Sequence, residues 1–228
     1  MEGTRPPVRA RPIQVRAAGA GMEAMSAMAE EGAEGCRSGP DGTGMWALIP
    51  AWNEAASVGN VVASARPWVG EVLVVDDGSS DDTSARAAAA GARVIRHASN
   101  RGKGAALWSG LQEALGTAPG GPGWVVVLDA DGQHDPADIP RLVEAARRTG
   151  ARIVVGSRMD DPTGMPPVRY LTNRYTSWRV SRFAGQSIPD SQCGYRLIHR
   201  SLLAVWQPQT SNFDTESEML IVASRAGL

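Results

Sequence analysis

Five short apolar runs separated by helical patterns constrain the fold of this chain more than any other feature of its sequence. The runs cover residues 46–49, 72–75, 94–95, 124–128 and 153–155. Continuous apolar runs of this length are typical of strands buried on both faces of a mostly parallel sheet. The sequence therefore predicts an α/β fold with a single, mostly parallel central sheet that is flanked by helices.

Helical patterns lie between these runs and continue after the last of them. The predicted helices cover residues 57–65, 83–90, 105–115, 139–149, 168–183 and 215–226. Gly91 and Gly150 are typical helix stops. The helix over residues 168–183 has Val168, Leu171, Tyr175 and Trp178 on one face, and this pattern favours core packing over membrane contact.

The first 44 residues differ from the rest of the chain. They are rich in Gly, Ala, Pro, Arg and Glu and nearly lack branched and aromatic residues, so they bury too little to offset the entropy of ordering. We predict a disordered tail over residues 1–44 and one catalytic domain over residues 45–228. The chain ends at Leu228 just after a helical run, which is compatible with a domain truncated at its C-terminus.

Composition excludes several classes of function. A net charge of -1 gives no broad attraction to nucleic acid, so we expect no nucleic-acid partner. Cys36 and Cys193 alone predict neither a disulfide framework nor a cysteine metal site, which favours a cytoplasmic location. No apolar run approaches the roughly 20 residues that a spanning helix needs. Any membrane contact is therefore expected to be peripheral, at the cytoplasmic face.

Polar residues follow each predicted strand. These residues are Pro50, Asn53 and Glu54 after the first strand, Asp76 and Asp77 after the second, Lys103 after the third, Asp129, Asp131 and Gln133 after the fourth, and Arg158 after the fifth. In an open α/β sheet, ligands bind beyond the carboxyl ends of the strands. The sequence therefore predicts one ligand site at this edge.

The Asp129-Ala-Asp131 motif indicates a site for a divalent cation. Gly132 permits a turn that brings both carboxylates to one side, and such oxygen ligands suit Mg²⁺ or Mn²⁺ together with substrate phosphates. Helix capping by the two aspartates is the alternative interpretation. His134 is interpreted as a structural residue at a helix start, because hard oxygen ligands already surround the proposed cation.

Seven segments occur in an order that resembles the family 2 glycosyltransferases. They are Pro50-x-x-Asn53-Glu54 and residues 75–83, 100–104, 129–134, 155–158, 190–196 and 213–216. Within that family the resemblance is to the branch similar to dolichyl-phosphate mannosyltransferase and polyprenyl-phosphate glucosyltransferases, and it covers residues 46–228. The resemblance implies a GT-A fold, inverting metal-dependent transfer, and a nucleotide-sugar donor of the GDP-mannose or UDP-glucose type.

The resemblance also implies roles for individual residues. It implies donor binding by Pro50, Asn53, Glu54, Asp77, Lys103, Asp129 and Gln192, metal binding by Asp129, Asp131 and Gln133, and catalytic roles for Asp131, Asp190, Arg158 and Arg196. A lipid phosphate is already anionic near neutral pH, so an arginine to hold it is more useful than a strong base. Arg196 is expected in that role. Asp190 is the expected base for a hydroxyl acceptor, with Asp214 and Glu216 as second choices.

The predicted function is transfer of a hexose from a nucleotide sugar to a polyprenyl or dolichyl phosphate. Two alternatives stay open. The first keeps the donor chemistry but uses a saccharide hydroxyl as the acceptor. The second is a non-catalytic subunit that binds a nucleotide sugar, which the intact Asp-x-Asp motif disfavours.

Overall fold

Within the described residues, the fold is built on one seven-stranded sheet. The computed structural model of this chain describes residues 9–12, 37–116, 121–157, 167–209 and 214–228. The strands are β1 (Arg9–Pro12), β2 (Met45–Ala51), β3 (Glu71–Asp76), β4 (Arg93–Arg96), β5 (Trp124–Val127), β6 (Ile153–Ser157) and β7 (Arg196–His199). They lie side by side in the order β1-β6-β7-β5-β2-β3-β4.

The strand directions agree with the sheet that the sequence predicts. Strands β2, β3, β4 and β5 pair in parallel. Strand β7 lies between β5 and β6 and is antiparallel to both, so β6 runs in the same direction as β5. All five predicted strands therefore share one direction, and the mostly parallel α/β sheet is confirmed. Strand β7 was not predicted, because its apolar pair Leu197 and Ile198 is flanked by Arg196 and His199.

The helices flank the sheet and agree with the predicted helices to within about two residues. They are α1 (Val58–Ala65), α2 (Thr83–Ala89), α3 (Lys103–Gly116), α4 (Ile139–Thr149), α5 (Pro167–Ala184) and α6 (Asp214–Arg225). Helix α4 ends at Thr149 and is capped by Gly150, whose φ of 69° lies in the left-handed region that glycine adopts without strain. None of the helices in the described ranges has the length and apolar composition that crossing a bilayer requires.

Helix α3 packs closely on the sheet at Gly110. A Cβ atom at this position would lie 2.2 Å from Cδ1 of Leu48 in β2, so a larger residue would push the helix away from the strand. Leu107 and Leu111 on the same side of the helix are buried. This packing holds Lys103, the first residue of α3, at the carboxyl edge of the sheet.

Two parts of the predicted disordered tail take regular structure. Residues 9–12 pair antiparallel with β6. Residues 37–44 form a turn in which Oδ1 of Asp41 accepts hydrogen bonds from Nε1 of Trp124 (3.0 Å) and from the backbone N–H of Thr43 (3.1 Å). The turn is ordered by these polar contacts, which compensate for its lack of apolar residues. The predicted domain boundary between residues 44 and 45 stays a prediction, and residues 1–8 and 13–36 lie outside the described residues.

Candidate active site

Loops from neighbouring strands meet at the carboxyl edge of the sheet. Ala51 at the end of β2 stands opposite Asp76 at the end of β3. Asp129 follows β5, which pairs with the other side of β2. Parallel pairing brings these strand ends to one edge, where open α/β sheets bind their ligands. The structure therefore brings together the three groups of polar residues that follow β2, β3 and β5.

Asp76 is a buried carboxylate that organises the turn after β3. Its Oδ1 accepts a hydrogen bond from the backbone N–H of Ser79 at 2.8 Å, and its Oδ2 accepts one from the hydroxyl of Ser84. Nε of Arg96 lies 3.6 Å from Oδ2. Burial acts to raise the pKa of Asp76, but the hydrogen bonds and the charge of Arg96 outweigh burial and hold the pKa below its usual value.

Asp77 ties the turn after β3 to the loop after β4. Its carboxylate accepts hydrogen bonds from the backbone N–H groups of Arg101 (3.0 Å) and Gly102 (2.7 Å). Its Oδ1 also lies 2.6 Å from Nδ1 of His97. The side chain of Asp77 is only 3% exposed. In the structure Asp77 thus fixes the loop after β4, and its contact with the donor base or ribose stays a prediction.

The loop after β2 lies against the turn after β3. Pro50 is buried within β2. Asn53 adopts a φ of 54°, and its Oδ1 accepts a hydrogen bond from the backbone N–H of Ser80 at 2.8 Å. Glu54 accepts a hydrogen bond from the hydroxyl of Ser57 at 2.8 Å. Asn53 is exposed, so its surface beside the Asp76–Asp77 turn is accessible to a ligand.

Asp129 is the centre of a charged cluster at the end of β5. Nζ of Lys103 lies 2.7 Å from Oδ1 of Asp129 and 3.2 Å from Oε1 of Glu216. Nε2 of His134 lies 3.0 Å from Oδ2 of Asp129. Three segments that are distant in the sequence therefore meet here: the start of α3, the loop after β5, and α6.

The charges in this cluster stabilise one another. Burial would raise the pKa of Asp129, but the hydrogen bond from His134 and the charge of Lys103 hold it far below its usual value. Burial would lower the pKa of Lys103, but Glu216 and Asp129 raise it. The ionised forms of both groups are therefore favoured at neutral pH. The result is a fixed ammonium group at the edge where a donor diphosphate is expected.

Asp131 and Gln133 lie beside this cluster and are exposed. Oδ1 of Asp131 accepts a hydrogen bond from the backbone N–H of Gln133 at 2.8 Å, and Gly132 between them has a φ of 72°. The described residues contain no group of three or more His, Cys, Asp or Glu side chains arranged to hold a metal ion. An exposed carboxylate of this kind suits Mg²⁺ or Mn²⁺ where substrate phosphates complete the coordination.

The segment before β7 closes over Asp129. A Cβ atom at Gly194 would lie 2.6 Å from Oδ2 of Asp129, so only glycine allows this approach. The ring of Tyr195 stacks on that of His134 with centroids 5.0 Å apart. The Tyr195 hydroxyl donates to the backbone carbonyl of Asp135 at 3.2 Å. These contacts fix the position of His134 and, through it, the carboxylate of Asp129.

Asp190 and Gln192 lie on the loop between α5 and β7. Asp190 is 4% exposed, and its Oδ1 accepts hydrogen bonds from Nδ2 of Asn173 (3.0 Å) and from the backbone N–H of Gln192 (3.2 Å). Gln192 is exposed, and its Nε2 donates to the hydroxyl of Ser217 at 3.4 Å. In this structure Asp190 therefore joins α5 to the loop, and its role as a base stays a prediction.

Arg196 differs from the phosphate-binding residue that the sequence predicts. It is 1% exposed, and its three guanidinium nitrogens donate to the backbone carbonyls of Cys193 (2.8 Å), Glu216 (2.9 Å) and Ser191 (2.9 Å). A guanidinium that is buried among carbonyl groups is not presented to an acceptor phosphate. Its place is to join the 190–196 segment to α6. Arg158 lies outside the described residues.

The sequence did not predict that Glu216, His134 and Gly194 converge on Asp129, although the structural role expected of His134 agrees with its contacts. Glu216 was only a second choice as a base, His134 was interpreted as a structural residue, and Gly194 was given no role of its own. All three lie in segments of the family resemblance, so the motifs carried the signal. Their convergence on Asp129 could not be read from the sequence, because β7 and α6 reach it from distant parts of the chain.

Comparison with known proteins identifies the family. The family model described as "Glycosyl transferase family 2" matches residues 46–206. The chain belongs to this family. The match begins inside β2 and includes the loops that carry Asp77, Asp129 and Asp131. The α/β sheet described above is the GT-A fold of these enzymes.

Two curated relatives of the glycosyltransferase are similar over most of its length. UDP-N-acetylglucosamine–dolichyl-phosphate N-acetylglucosaminyltransferase of Methanococcus voltae is 30% identical over 204 residues, with 79% of this chain and 80% of that protein covered. Polyprenol monophosphomannose synthase of Mycolicibacterium smegmatis is 36% identical over 169 residues, with 68% of this chain and 62% of that protein covered.

A solved structure supports the same fold. The crystal structure of glucosyl-3-phosphoglycerate synthase of Mycobacterium tuberculosis superposes with a TM-score of 0.62 at 27% identity, covering 83% of this chain and 69% of that chain. The same mycobacterial enzyme has been solved in complex with Mn²⁺, UDP-glucose and phosphoglyceric acid. These are similarities of the family, and they do not specify the donor of this chain.

Proposed function

We propose that this glycosyltransferase moves a hexose from a nucleotide sugar to a polyprenyl or dolichyl phosphate with inversion at the sugar carbon. The observation that carries the proposal is the Lys103–Asp129–Glu216 cluster beside the exposed Asp131. It combines a fixed cation with a carboxylate available to a metal ion at the carboxyl edge of the sheet. The names of both curated relatives indicate prenyl-phosphate acceptors.

On the donor side, we infer a GDP-mannose or UDP-glucose type of nucleotide sugar. The loop of Asn53 and the turn of Asp77 would form the base and ribose pocket, and Lys103 would face the diphosphate. Asp131, with Gln133 and Asp129 nearby, would hold Mg²⁺ or Mn²⁺. The ion would supply positive charge to the leaving nucleoside diphosphate.

On the acceptor side, a lipid phosphate simplifies the chemistry. Its oxygen is already anionic near neutral pH, so it attacks the sugar carbon without first losing a proton to a strong base. The site accordingly needs cations that stabilise charge on the leaving diphosphate, and the ammonium group of Lys103 would be one of them. An acceptor of this kind also requires the enzyme to work at a membrane surface.

Transfer from a panel of radiolabelled nucleotide sugars tests the proposal. Polyprenyl phosphate, phosphoglycerate and a saccharide serve as alternative acceptors, each with Mg²⁺, Mn²⁺ or a chelator. We expect label in the lipid fraction with one donor, lost in Asp131→Asn and retained in the control Asp82→Asn. Asp82 is a matched control because it is exposed and makes no side-chain capping hydrogen bond.

The other outcomes are equally informative. Label on phosphoglycerate or a saccharide alone would replace the lipid acceptor by a hydroxyl acceptor. Donor binding without transfer to any acceptor would contradict the enzymatic proposal and favour a nucleotide-sugar-binding subunit.

A further inference from the structure

Helix α5 exposes an unusual amount of apolar surface. Five large hydrophobic side chains on this helix are more than half exposed: Val168 (76%), Leu171 (63%), Tyr175 (60%), Trp178 (56%) and Phe183 (53%). Core packing was the prediction for this stripe, and the structure contradicts it. A cluster of exposed apolar side chains on a folded domain marks a surface that contacts another phase or molecule.

The inward face of α5 explains why the apolar face points outward. Asn173, Ser177 and Ser181 lie one helical turn apart and bind the loop that follows the helix. The hydroxyl of Ser177 accepts from the backbone N–H of Ser191 at 2.9 Å, and that of Ser181 accepts from Ile188 at 2.8 Å. Because the polar face is committed to this loop, the apolar face is left at the surface.

The same helix carries a concentrated positive charge. Residues 167–184 contain four arginines and no aspartate or glutamate, whereas the whole chain has a net charge of -1. The guanidinium carbon of Arg182 lies 5.7 Å from the ring centroid of Trp178, and that of Arg174 lies 5.8 Å from that of Tyr170. Cationic and aromatic groups therefore share one surface, and both kinds of side chain favour the headgroup region of a bilayer.

We propose that the exposed face of α5, formed by Leu171, Tyr175, Trp178, Arg179 and Arg182, docks the enzyme on an anionic lipid bilayer. The apolar side chains enter the boundary between headgroups and acyl chains, and the arginines pair with anionic headgroups. A second copy of this chain is a poorer occupant. A two-fold contact between two α5 helices would set their arginines against one another.

A groove beside this face extends the proposed contact. It has a volume of ≈ 610 Å³ and is lined by Arg174, Trp178 and Arg182 together with the 185–189 loop. Guanidinium groups beside an aromatic ring are suited to a phosphate headgroup. The docking face thus includes an open groove in which a headgroup phosphate can contact guanidinium groups.

The position of α5 connects this surface with the active site. Asn173 donates to Asp190, and the loop that begins there runs to Gly194 against Asp129. A bilayer on the outer face of α5 would lie one helix and one loop away from the charged cluster. The inference rests on the proposed lipid acceptor for its purpose, but docking is measurable without any transfer.

Vesicle co-sedimentation of the full chain tests the proposal. Vesicles of phosphatidylcholine alone are compared with vesicles containing about one-third phosphatidylglycerol. We expect binding to the anionic vesicles that falls about tenfold in apparent affinity in Trp178→Ser and in the double variant Arg179→Glu with Arg182→Glu. All these side chains are exposed, so the variants should unfold at the same temperature as the parent chain.

Two variants elsewhere on the surface provide matched controls. Val205→Ser removes an apolar side chain that is 41% exposed, and Arg148→Glu reverses an exposed arginine on α4. Both should bind vesicles as the parent chain does. The proposal is overturned if anionic vesicles are not bound, or if the α5 variants and the controls bind equally well. Sedimentation velocity tests the other occupant. If the parent chain self-associates, Trp178→Ser abolishes this association and no vesicles are bound, the exposed face of α5 binds a second copy of the chain.

A water-soluble, short-chain prenyl phosphate separates this inference from the proposed function. The α5 variants should use it at the rate of the parent chain while losing transfer to acceptor embedded in vesicles. Docking that depends on α5 but is accompanied by no transfer to any prenyl phosphate would leave the docking surface standing and refute the lipid-phosphate acceptor.

Discussion

Two acidic turns at the ends of the strands on either side of β2 have similar sequences and different environments. The turn after β3 carries Asp76 and Asp77, and the turn after β5 carries Asp129 and Asp131. Asp76 and Asp77 are 0% and 2% exposed, and both carboxylates accept hydrogen bonds from backbone N–H groups. The second turn instead pairs Asp129 with the side chains of Lys103 and His134 and leaves Asp131 exposed.

The difference shows that aspartate can have two roles at one edge of a sheet, either fixing the loops or contacting the ligand. A buried carboxylate whose oxygens are occupied by backbone N–H groups and neighbouring side chains fixes loop geometry and has little capacity left for a ligand. A carboxylate held by side-chain cations, next to an exposed one, can exchange partners when phosphates and a metal ion arrive. We therefore assign construction of the pocket to the turn after β3 and the chemistry to the turn after β5.

The largest expected effect is on turnover. Asp131→Asn removes the exposed negative charge that would hold the cation on the leaving diphosphate. We expect kcat to fall by at least about 100-fold, the scale at which a single electrostatic contributor to a transition state acts. The unfolding temperature should not change, because the side chain is exposed. Steady-state transfer kinetics and thermal unfolding check both statements. An unchanged kcat would contradict the assignment of the chemistry to the turn after β5.

Stability should respond most to the other turn. In Asp77→Asn an amide replaces a carboxylate that accepts hydrogen bonds from the backbone N–H groups of Arg101 and Gly102. The NH₂ group of the new side chain would therefore face backbone N–H donors in a buried environment. We expect the free energy of unfolding to fall by about 2–4 kcal/mol in urea denaturation. Asp82→Asn, on the exposed part of the same turn, is the control and should stay close to the parent chain. Equal stability of the two variants would contradict the structural role of Asp77.

A smaller effect is expected where the 190–196 segment presses on Asp129. Gly194→Ala places a Cβ atom at 2.6 Å from Oδ2 of Asp129, and the carboxylate must move away from His134 or Lys103. Misplacement of a catalytic group by a fraction of an ångström should lower kcat by about tenfold. Gly116→Ala is the control, since nothing lies near its Cβ position. Transfer kinetics of the two variants would distinguish positioning of Asp129 from a general effect of added methyl groups.

The smallest expected effect is a pH dependence of stability. The pKa of Asp76 is lowered in the folded state, so its contribution to stability is fully present above the ordinary pKa that an aspartate has in the unfolded chain. That contribution is lost as the pH falls through the lowered pKa of the folded protein. Asp76→Asn should thus lose stability at neutral pH and show a flatter decline below about pH 4. Urea denaturation of the parent chain and of Asp76→Asn across this pH range checks the prediction. An equally steep loss of stability in both proteins below about pH 4 would contradict it.

Much of this architecture could be predicted from the sequence. Buried parallel strands read as continuous apolar runs, and the polar residues after them necessarily meet at one edge, so Asp77, Asp129 and Asp131 were placed correctly relative to the sheet. Strand β7 could not be predicted. It is four residues long, and it pairs with β5 and β6 through contacts that local patterns do not encode.

Two other features depended on information that local sequence does not contain. An arginine near a glycosyltransferase motif can bind a phosphate or cap backbone carbonyls, and Arg196 does the latter because β7 draws it into the interior. The periodicity of α5 showed that Leu171, Tyr175 and Trp178 share a face. It did not show that Ser177 and its polar neighbours would face the protein interior, where they form hydrogen bonds with the following loop.

Metal-linked binding of the nucleoside diphosphate tests the central claim most directly. Calorimetric titration of UDP and GDP, each with and without Mn²⁺, is compared in the parent chain, Asp131→Asn and Asp76→Asn. We expect Mn²⁺ to tighten binding in the parent chain and in Asp76→Asn, and this coupling to be absent in Asp131→Asn. Coupling that survives in Asp131→Asn, or that is lost equally in both variants, would contradict the division of labour between the two turns.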